Sequence, residues 1–533
     1  MEKYGLLTKV CIIFAIVTAT AIPSHAQTFT SLFTFNYSDG SNPNGALVQA
    51  TDGNLYGTTW AGGHGYGTFF VIASGTVTPL HSFDSSEGAF PNASLVQASN
   101  GNFYGTTYGG GANDQGTVFE ITSAGAVTTL YSFSSSDGTH PWAGLVQGTD
   151  GNFYGTTYEG GANDYGTVFK ITPTGTLTTL HSFSSTDGAF PNASLVQPTN
   201  GNFYGTTDNG GMNNYGTVFE ITPTGTLSTL HSFDYTDGAT PNANLVASNG
   251  NFYGTTWEGG ADGYGTVFEM TPAGKLTTLQ SFNWSDGAMP YSEGLVQGTD
   301  GNFYGTTQVS SNYDCGTIYE VSPGGTLTTL HNFDYTDGCG ADSGLTQATN
   351  GAFYGTSWSG GTDGYGTAFS LSIGLAPFVQ PRPSMGLVGT AVTILGNNLT
   401  GTTEVSFNGT TATHKKVVSA TEITTMVPSG ATTGALTVTT PSGTLSSGTF
   451  FVTPQLKSFT PGKGRVGTQV QIAGVSLTQT TAVSFNGVAA SEFTVDSDKK
   501  VTVTVPTDAT TGTISITTAG GTATSVKSFT VKD

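Results

Sequence analysis

Apolar and polar positions alternate along most of this chain in short runs, and glycine with Asn, Asp or Pro ends nearly every run. That is the pattern of half-buried strands joined by tight turns, and no helical period competes with it beyond the first 25 or so residues. One unit, starting at Phe190, reads FPNASLVQPTNGNFYGTTDNGGMNNYGTVFEITPTGTLSTLHSF. It predicts strand a over 193–197, a two-residue hairpin turn within Thr199-Asn200-Gly201-Asn202, and strand b over 203–207. A glycine-rich loop leads to strand c over 216–222, and Pro223-Thr224-Gly225 turns the chain into strand d over 226–233.

The unit recurs. Tyr-Gly-Thr stands at Tyr56, Tyr104, Tyr154, Tyr204, Tyr253, Tyr304 and Tyr354, at spacings of 48 to 51 residues. Seven four-stranded units of this length match the blades of a propeller. Residues 28–35 read as a strand d with no a, b or c before it, whereas the seventh unit has a, b and c and then stops short of d. Together they make one blade, so the first strand is expected to close the ring and remove the exposed sheet edges. The expected fold is all-β: a seven-bladed β-propeller over 27–375, followed by two immunoglobulin-like β-sandwiches over 376–454 and 455–533.

The sandwich pair rests on a second internal repeat. Gly389-Thr390-Ala391-Val392-Thr393-Ile394 corresponds to Gly467-Thr468-Gln469-Val470-Gln471-Ile472, and Val405-Ser406-Phe407-Asn408-Gly409 to Val483-Ser484-Phe485-Asn486-Gly487. With the Val427-Pro428 and Val505-Pro506 steps, both halves resemble IPT/TIG domains, which implies a spacer or a protein contact. The motif NFYGTT-x-x-GG-x-x-x-x-GTVF-x-IT resembles the GloVer tandem repeat of secreted bacterial proteins over residues 28 to about 374. That resemblance implies a location outside the cytoplasm and lends no particular activity.

Residues 1–26 read as a secretory leader: Lys3 and Lys9, an apolar run from Val10 to Ile22, and Ser24-His25-Ala26 before Gln27. The run is short for a membrane span and no second one follows. An extracytoplasmic, monomeric protein is expected. Cys315 and Cys339 then form an even pair in a disulfide-permitting compartment, and both fall on the same face within one repeat period. A disulfide between them is expected.

Charge narrows the partners. Residues 27–375 hold 27 acids against Lys170 and Lys275 alone. Nucleic acid, whose binding depends on neutralising phosphates with Lys and Arg, is excluded as a partner. Neutral polysaccharide, basic protein or a divalent cation fits, and acidity also keeps a secreted protein in solution.

Candidate chemistry is sparse. His81, His181, His231 and His331 share one strand-d position, so they radiate outward and a packing or hydrogen-bonding role is expected of them. Gly462 to Gly467 spells GxGxxG, but a strand follows it instead of a βαβ unit. No HExxH, GxSxG or CxxC occurs. The b to c loops carry Asp114, Asp164, Asp262, Asp314 and Asp363 beside Asn113, Asn163 and Asn312; turn formation is expected, with Ca²⁺ as the one candidate cofactor and no metal site assigned.

The b to c and d to a loops share one face of a propeller. There the ends of strand b present Trp60, Tyr108, Tyr158, Asp208, Trp257, Gln308 and Trp358, and the starts of strand a present Asn44, Asn92, Trp142, Asn192, Asn242, Tyr291 and Asp342. Aromatic planes among amides suit sugar rings, so Trp60, Tyr108, Trp142, Tyr158, Trp257, Tyr291 and Trp358 are the candidate ligand-binding residues; the alternative is that they wedge between blades. Glu293 and Asp342 have no counterparts in other units. They are candidates for a catalytic carboxylate pair, the alternative being chance substitution in a solvated loop. The expected function is therefore non-catalytic binding or adhesion toward an extracellular polysaccharide or protein. A glycoside hydrolase or lyase and a structural surface component are the alternatives.

Overall fold

The computed structural model describes residues 27–291, 293–310 and 314–532; the expected leader, 1–26, lies outside the described residues. Every regular element is a strand, and no described helix is long and apolar enough to cross a membrane. Seven antiparallel sheets follow one another along the chain. The second blade is representative: strand a is Val96–Gln97, b Phe103–Thr107, c Thr117–Ile121 and d Val127–Ser132. In the seventh, Thr346–Gln347, Phe353–Ser357 and Thr367–Ser372 are completed by Thr28–Thr34, which pairs antiparallel with the third of these strands. The ring closes as its interrupted repeat requires.

The Tyr-Gly-Thr motif is the contact surface between blades. Tyr104 stacks on Phe153 of the next blade with centroids 4.2 Å apart, and Tyr154 on Phe203 at 4.0 Å. The following glycine makes room for two neighbours at once. A Cβ on Gly105 would stand 2.7 Å from both Phe119 and Leu95. The next threonine reaches across: Thr106 Oγ1 donates to the Ala143 carbonyl at 2.9 Å. A second aromatic series runs outside this one, in which the phenylalanine ending each strand d meets the strand-c ring of the next blade edge-on. Phe83 meets Phe119, Phe133 meets Phe169, and the series passes through the closing strand, where Phe35 meets Phe70 at 5.2 Å.

Two local expectations change. Strand a is only two residues long in most blades; residues before it bond to other blades and not along the sheet, as Gly144 does to Ser194 of the next blade and Ser94 to Glu293 across the channel. In the fourth it shrinks to a single bridge, Val196 with Tyr204. There Pro198 lacks the N–H that Ala98 donates to the Asn102 carbonyl at the same place in the second blade. The a to b turn has three residues, not two, with a left-handed glycine such as Gly101 last. Only the fifth blade has the two-residue turn, Asn249-Gly250, both at positive φ between the paired Ser248 and Asn251.

The C-terminal repeat forms two sandwiches of one topology. In the first, Gln380–Arg382, Ala391–Leu395, Glu422–Met426 and Lys415–Val417 make one sheet, and the other centres on Gly434–Thr440 and Gly443–Val452. The second repeats this order. The first sandwich sits on the a to b turns of the propeller. Arg382 Nη2 donates to the Gln49 carbonyl at 2.7 Å, Thr421 Oγ1 to the Thr51 carbonyl at 2.9 Å, and Asn397 Nδ2 to Thr349 Oγ1 at 2.7 Å. The second is tied to the first through Gln479, which both donates to and accepts from the Thr433 backbone. Its Gly521 lies against the Thr199 carbonyl in the fourth blade, where a side chain has no room. The opposite face, formed by the b to c and d to a loops, is the one left open.

If the outer phenylalanine ring closes the propeller, Phe35→Ala should cost about 3–5 kcal/mol, as Phe133→Ala should in mid-array. Urea unfolding of the two variants checks this, and a far smaller loss at Phe35 would mean that the first strand is only loosely held.

Candidate functional site

One backbone device places the side chains of the open face. In each d to a loop one equivalent residue adopts a left-handed conformation, namely Asn42, Phe90, His140, Phe190, Thr240, Met289 and Gly340, and Tyr235 and Tyr335 do so earlier in two of the loops. Bulky side chains are disfavoured there, and such strain persists only where neighbours enforce it. Two backbone bonds do so. Phe190, for example, donates its N–H to the Tyr165 carbonyl of the preceding blade at 2.9 Å and accepts from the Asp208 N–H of the next at 3.1 Å. The same bond holds Trp60, Tyr108, Tyr158, Trp257, Gln308 and Trp358 in turn. Seven equivalent positions are thus aimed at the channel mouth, and the side chains differ among them.

The structure joins most of the predicted aromatics into one arc. Trp60 lies within 5.5 Å of Tyr108, 5.6 Å of Trp142 and 6.4 Å of Trp358, centroid to centroid. Trp142 continues to Tyr158 at 6.3 Å. Trp257 and Tyr291 form a separate edge-on pair at 6.5 Å. Loop residues back these rings: Phe90 behind Trp60, His140 behind Tyr108, Phe190 behind Tyr158. All seven are half-buried, so they pack between loops as the wedge reading expects while remaining open to solvent.

Between the arc and the pair lies a polar sector. Of the twelve buried side-chain N and O atoms without a partner among the described residues, seven belong to mouth residues: Asn44, Trp142, Asn192, Asp208, Asn242, Trp257 and Asp342. Asp208 and Asp342 are only 6% and 7% exposed. Burial pushes the Asp208 carboxyl up to about 8 against the pull of an amide bond from Asn192, and pushes Asp342 up to about 6 against Gln308. Burial, Asp342, Asp208 and Tyr158 together hold the Tyr291 hydroxyl above its ordinary range. Tyr158 is raised to about 12, first by burial and then by Asp208.

Glu293 is placed differently from Asp342. Its Oε1 accepts the Ser94 N–H across the channel at 3.0 Å, and its Oε2 accepts from Asn244 Nδ2 at 2.8 Å. Gly344 packs against its Cβ, so the starts of the two strands adjoin as expected, yet both Glu293 oxygens already bridge blades. Burial raises its pKa, opposed by these bonds. Sequence reasoning placed Asp208 on this face without singling it out; the signal was that it is the only acid among the seven strand-b ends.

The remaining candidates have structural partners. His181, His231 and His331 bond Asp187, Asp237 and Asp337 at 3.1, 2.8 and 2.9 Å, and His81 bonds Glu87. Asp114 and Asp164 accept glycine amides of their own turns at 3.1 Å; Asn312 lies outside the described residues. No group of three or more His, Cys, Asp or Glu side chains poised for a metal occurs among the described residues. Cys315 and Cys339 are joined as a disulfide, beside a backbone bond from Gly340 to the Cys315 carbonyl.

The model of the Gloeobacter/Verrucomicrobia repeat matches residues 13–147, 65–252, 137–297 and 197–414. The chain belongs to this repeat family. The IPT/TIG domain model matches residues 379–452, and no curated protein matches the chain. Among solved structures, the repeat protein is similar to an extracellular domain from B. thetaiotaomicron, at 12% identity and TM-score 0.44, covering 93% of this chain and 66% of that one. It is similar to a surface glycan-binding protein from Prevotella bryantii at 17% identity and TM-score 0.23, covering 28% and 41%. It also resembles a copper-bound fungal alcohol oxidase at 12% and 0.42, covering 95% and 99%. The chain spans no more than 66% of the first two. At these scores the likenesses carry no functional weight.

Asp208 gives this repeat protein a pH signature. Its carboxyl is harder to ionise folded than unfolded, so native stability should fall as pH rises from about 4 to about 8 and level off above that. Asp208→Asn should match the parent near pH 4 and exceed it by a few kcal/mol at pH 8.5. Denaturant midpoints at the two pH values test this; equal differences at both would mean that Asp208 is ionised in the native state.

Proposed function

We propose that the protein is an extracytoplasmic carbohydrate-binding protein whose open propeller face receives a polysaccharide chain, while the sandwich pair covers the opposite face as spacer or protein contact. The carrying observation is the convergence of unpartnered buried polar atoms at a mouth ringed by aromatics. Orphaned polar groups cost free energy unless a ligand satisfies them. A sugar does this and also stacks: its C–H faces cover Trp60, Trp142 and Trp358, and its hydroxyls meet the Asn44, Asn192 and Asn242 carbonyl oxygens, which only accept, and the indole N–H groups, which only donate.

The hydrolase or lyase reading draws support from Asp342, which keeps one oxygen unpartnered. Glu293, its expected partner, spends both oxygens holding blades together. These bonds favour binding without turnover.

The Trp60→Ala, Trp257→Ala, Trp358→Ala triple variant of the full secreted chain should lose at least about tenfold in affinity for whichever polysaccharide of a panel the parent binds, a difference of about 1.4 kcal/mol or more. Affinity electrophoresis reads this directly. Retention by the triple variant would remove the aromatic arc from the binding surface, and release of reducing ends by the parent would restore the enzyme reading.

A further inference from the structure

The two acids at the mouth carry the ligand class further than the aromatics do. Asp342 stands where four other blades carry asparagine, at Asn44, Asn92, Asn192 and Asn242. An amide already offers a carbonyl oxygen to a hydroxyl; what the carboxylate adds is charge. Asp208 likewise replaces the Trp, Tyr or Gln found at the other six strand-b ends. Both side chains are more than nine-tenths buried and each has an oxygen without a partner.

Among the described residues no cationic side chain pairs with either acid, and His64, in a b to c loop of the same face, is exposed. The propeller's lysines are Lys170, paired with Asp150 at 2.7 Å beside an a to b turn, and Lys275, in a c to d turn; both belong to the opposite face. His140, the histidine within the arc, is engaged with Glu159 at 3.2 Å. Asn192, Tyr158 and Tyr291 face Asp208, while Gln308 and Tyr291 face Asp342. None of these is cationic. Buried carboxylates without a counter-ion are costly, and aromatic rings such as Tyr158 and Tyr291 beside them add attraction for an ammonium group.

Resting on the carbohydrate reading of the same mouth, we infer that this site selects sugars bearing a free, protonated amine, with ammonium groups seated at Asp208 and Asp342, the two unpartnered acids that neighbour Tyr291 of the Trp257–Tyr291 pair. An amino-sugar polymer supplies both halves of the recognition: ring faces for the arc and a cation for the acids. The empty site keeps Asp208 protonated near neutrality. Arrival of the ammonium group draws off that proton, so binding releases a proton to the buffer.

The test is isothermal titration of the full secreted chain at pH 5.5, where the amines of the glucosamine probe already carry their protons, with three probes of equal length: a glucosamine tetramer, an N-acetylglucosamine tetramer and a glucose tetramer, all β-1,4-linked. The glucosamine tetramer should bind at least about tenfold more tightly than either neutral one, in line with a desolvated ammonium contact. Its apparent heat should vary with the buffer's ionisation enthalpy, as that of the neutral probes should not. Asp208→Asn and Asp342→Asn should each move the affinity ratio toward one, and the parent comparison stands by itself if either variant fails to fold. Equal or weaker binding of the glucosamine tetramer overturns the inference and leaves the carbohydrate reading intact. Failure of all three probes overturns the inference, and the polysaccharide panel then decides the carbohydrate reading by itself.

Discussion

Everything in the propeller depends on one contact that has to close on itself: the edge-on meeting of the phenylalanine at the end of each strand d with the strand-c ring of the next blade. Seven such pairs run around the molecule at 5.0 to 5.5 Å, with Tyr319 taking the phenylalanine's place once. An aromatic pair adds about 0.5–1.5 kcal/mol beyond its burial, so no single pair holds the ring. Closure makes them collective. The Phe35 to Phe70 pair joins the first strand's end to the first blade, and without it blades one and seven would each expose an aromatic flank and a sheet edge.

Placing cohesion in that buried layer frees the loops. The b to c and d to a connections lie outside the Tyr–Phe stacking between blades, so their side chains vary from blade to blade while the two backbone bonds that anchor them recur. The recurring left-handed residue shows how firm that backbone is: phenylalanine, histidine, threonine and methionine all occupy a conformation that glycine takes most easily, because bonds to two blades leave no alternative. Variation at fixed geometry lets one repeat build an aromatic arc on one side of the mouth and an acidic sector on the other.

The fold was legible because the repeat displays it several times over. Tyr-Gly-Thr, the unpaired strand d and the missing seventh d are local facts that leave one way to close the ring, and the Cys315–Cys339 bridge followed from both residues lying in the same loop layer. Less legible were features set by single residues against their neighbours. Pro198 and the deletion that makes Asn249-Gly250 a two-residue turn alter pairing locally, and a period of about 50 does not resolve that. At the site, the aromatics announced themselves by type. The different fates of Glu293 and Asp342 did not, because they turn on which backbone N–H lies across the channel. In the sixth blade one extra residue between Pro290 and Leu295 sends Glu293 inward to Ser94. Nothing in the one-dimensional pattern says where such an insertion points.

That insertion also bears on why the acids at the mouth can exist. Glu293 shows how this protein accommodates a carboxylate in the channel when cohesion is its role: it surrounds both oxygens with N–H donors. The donors exist, since strand a begins with amides free of the sheet, such as those of Ser94, Gly144 and Ser194, each capped by a side chain from another blade. Asp208 and Asp342 receive one side-chain bond each, from Asn192 and Gln308, and keep the other oxygen bare. A buried carboxyl left short of donors costs stability, and a ring held by many small contacts tolerates a few kcal/mol of that without opening. The contrast between a fully bonded acid below and two under-bonded acids above separates the part of the channel that holds the blades from the part left open to a ligand.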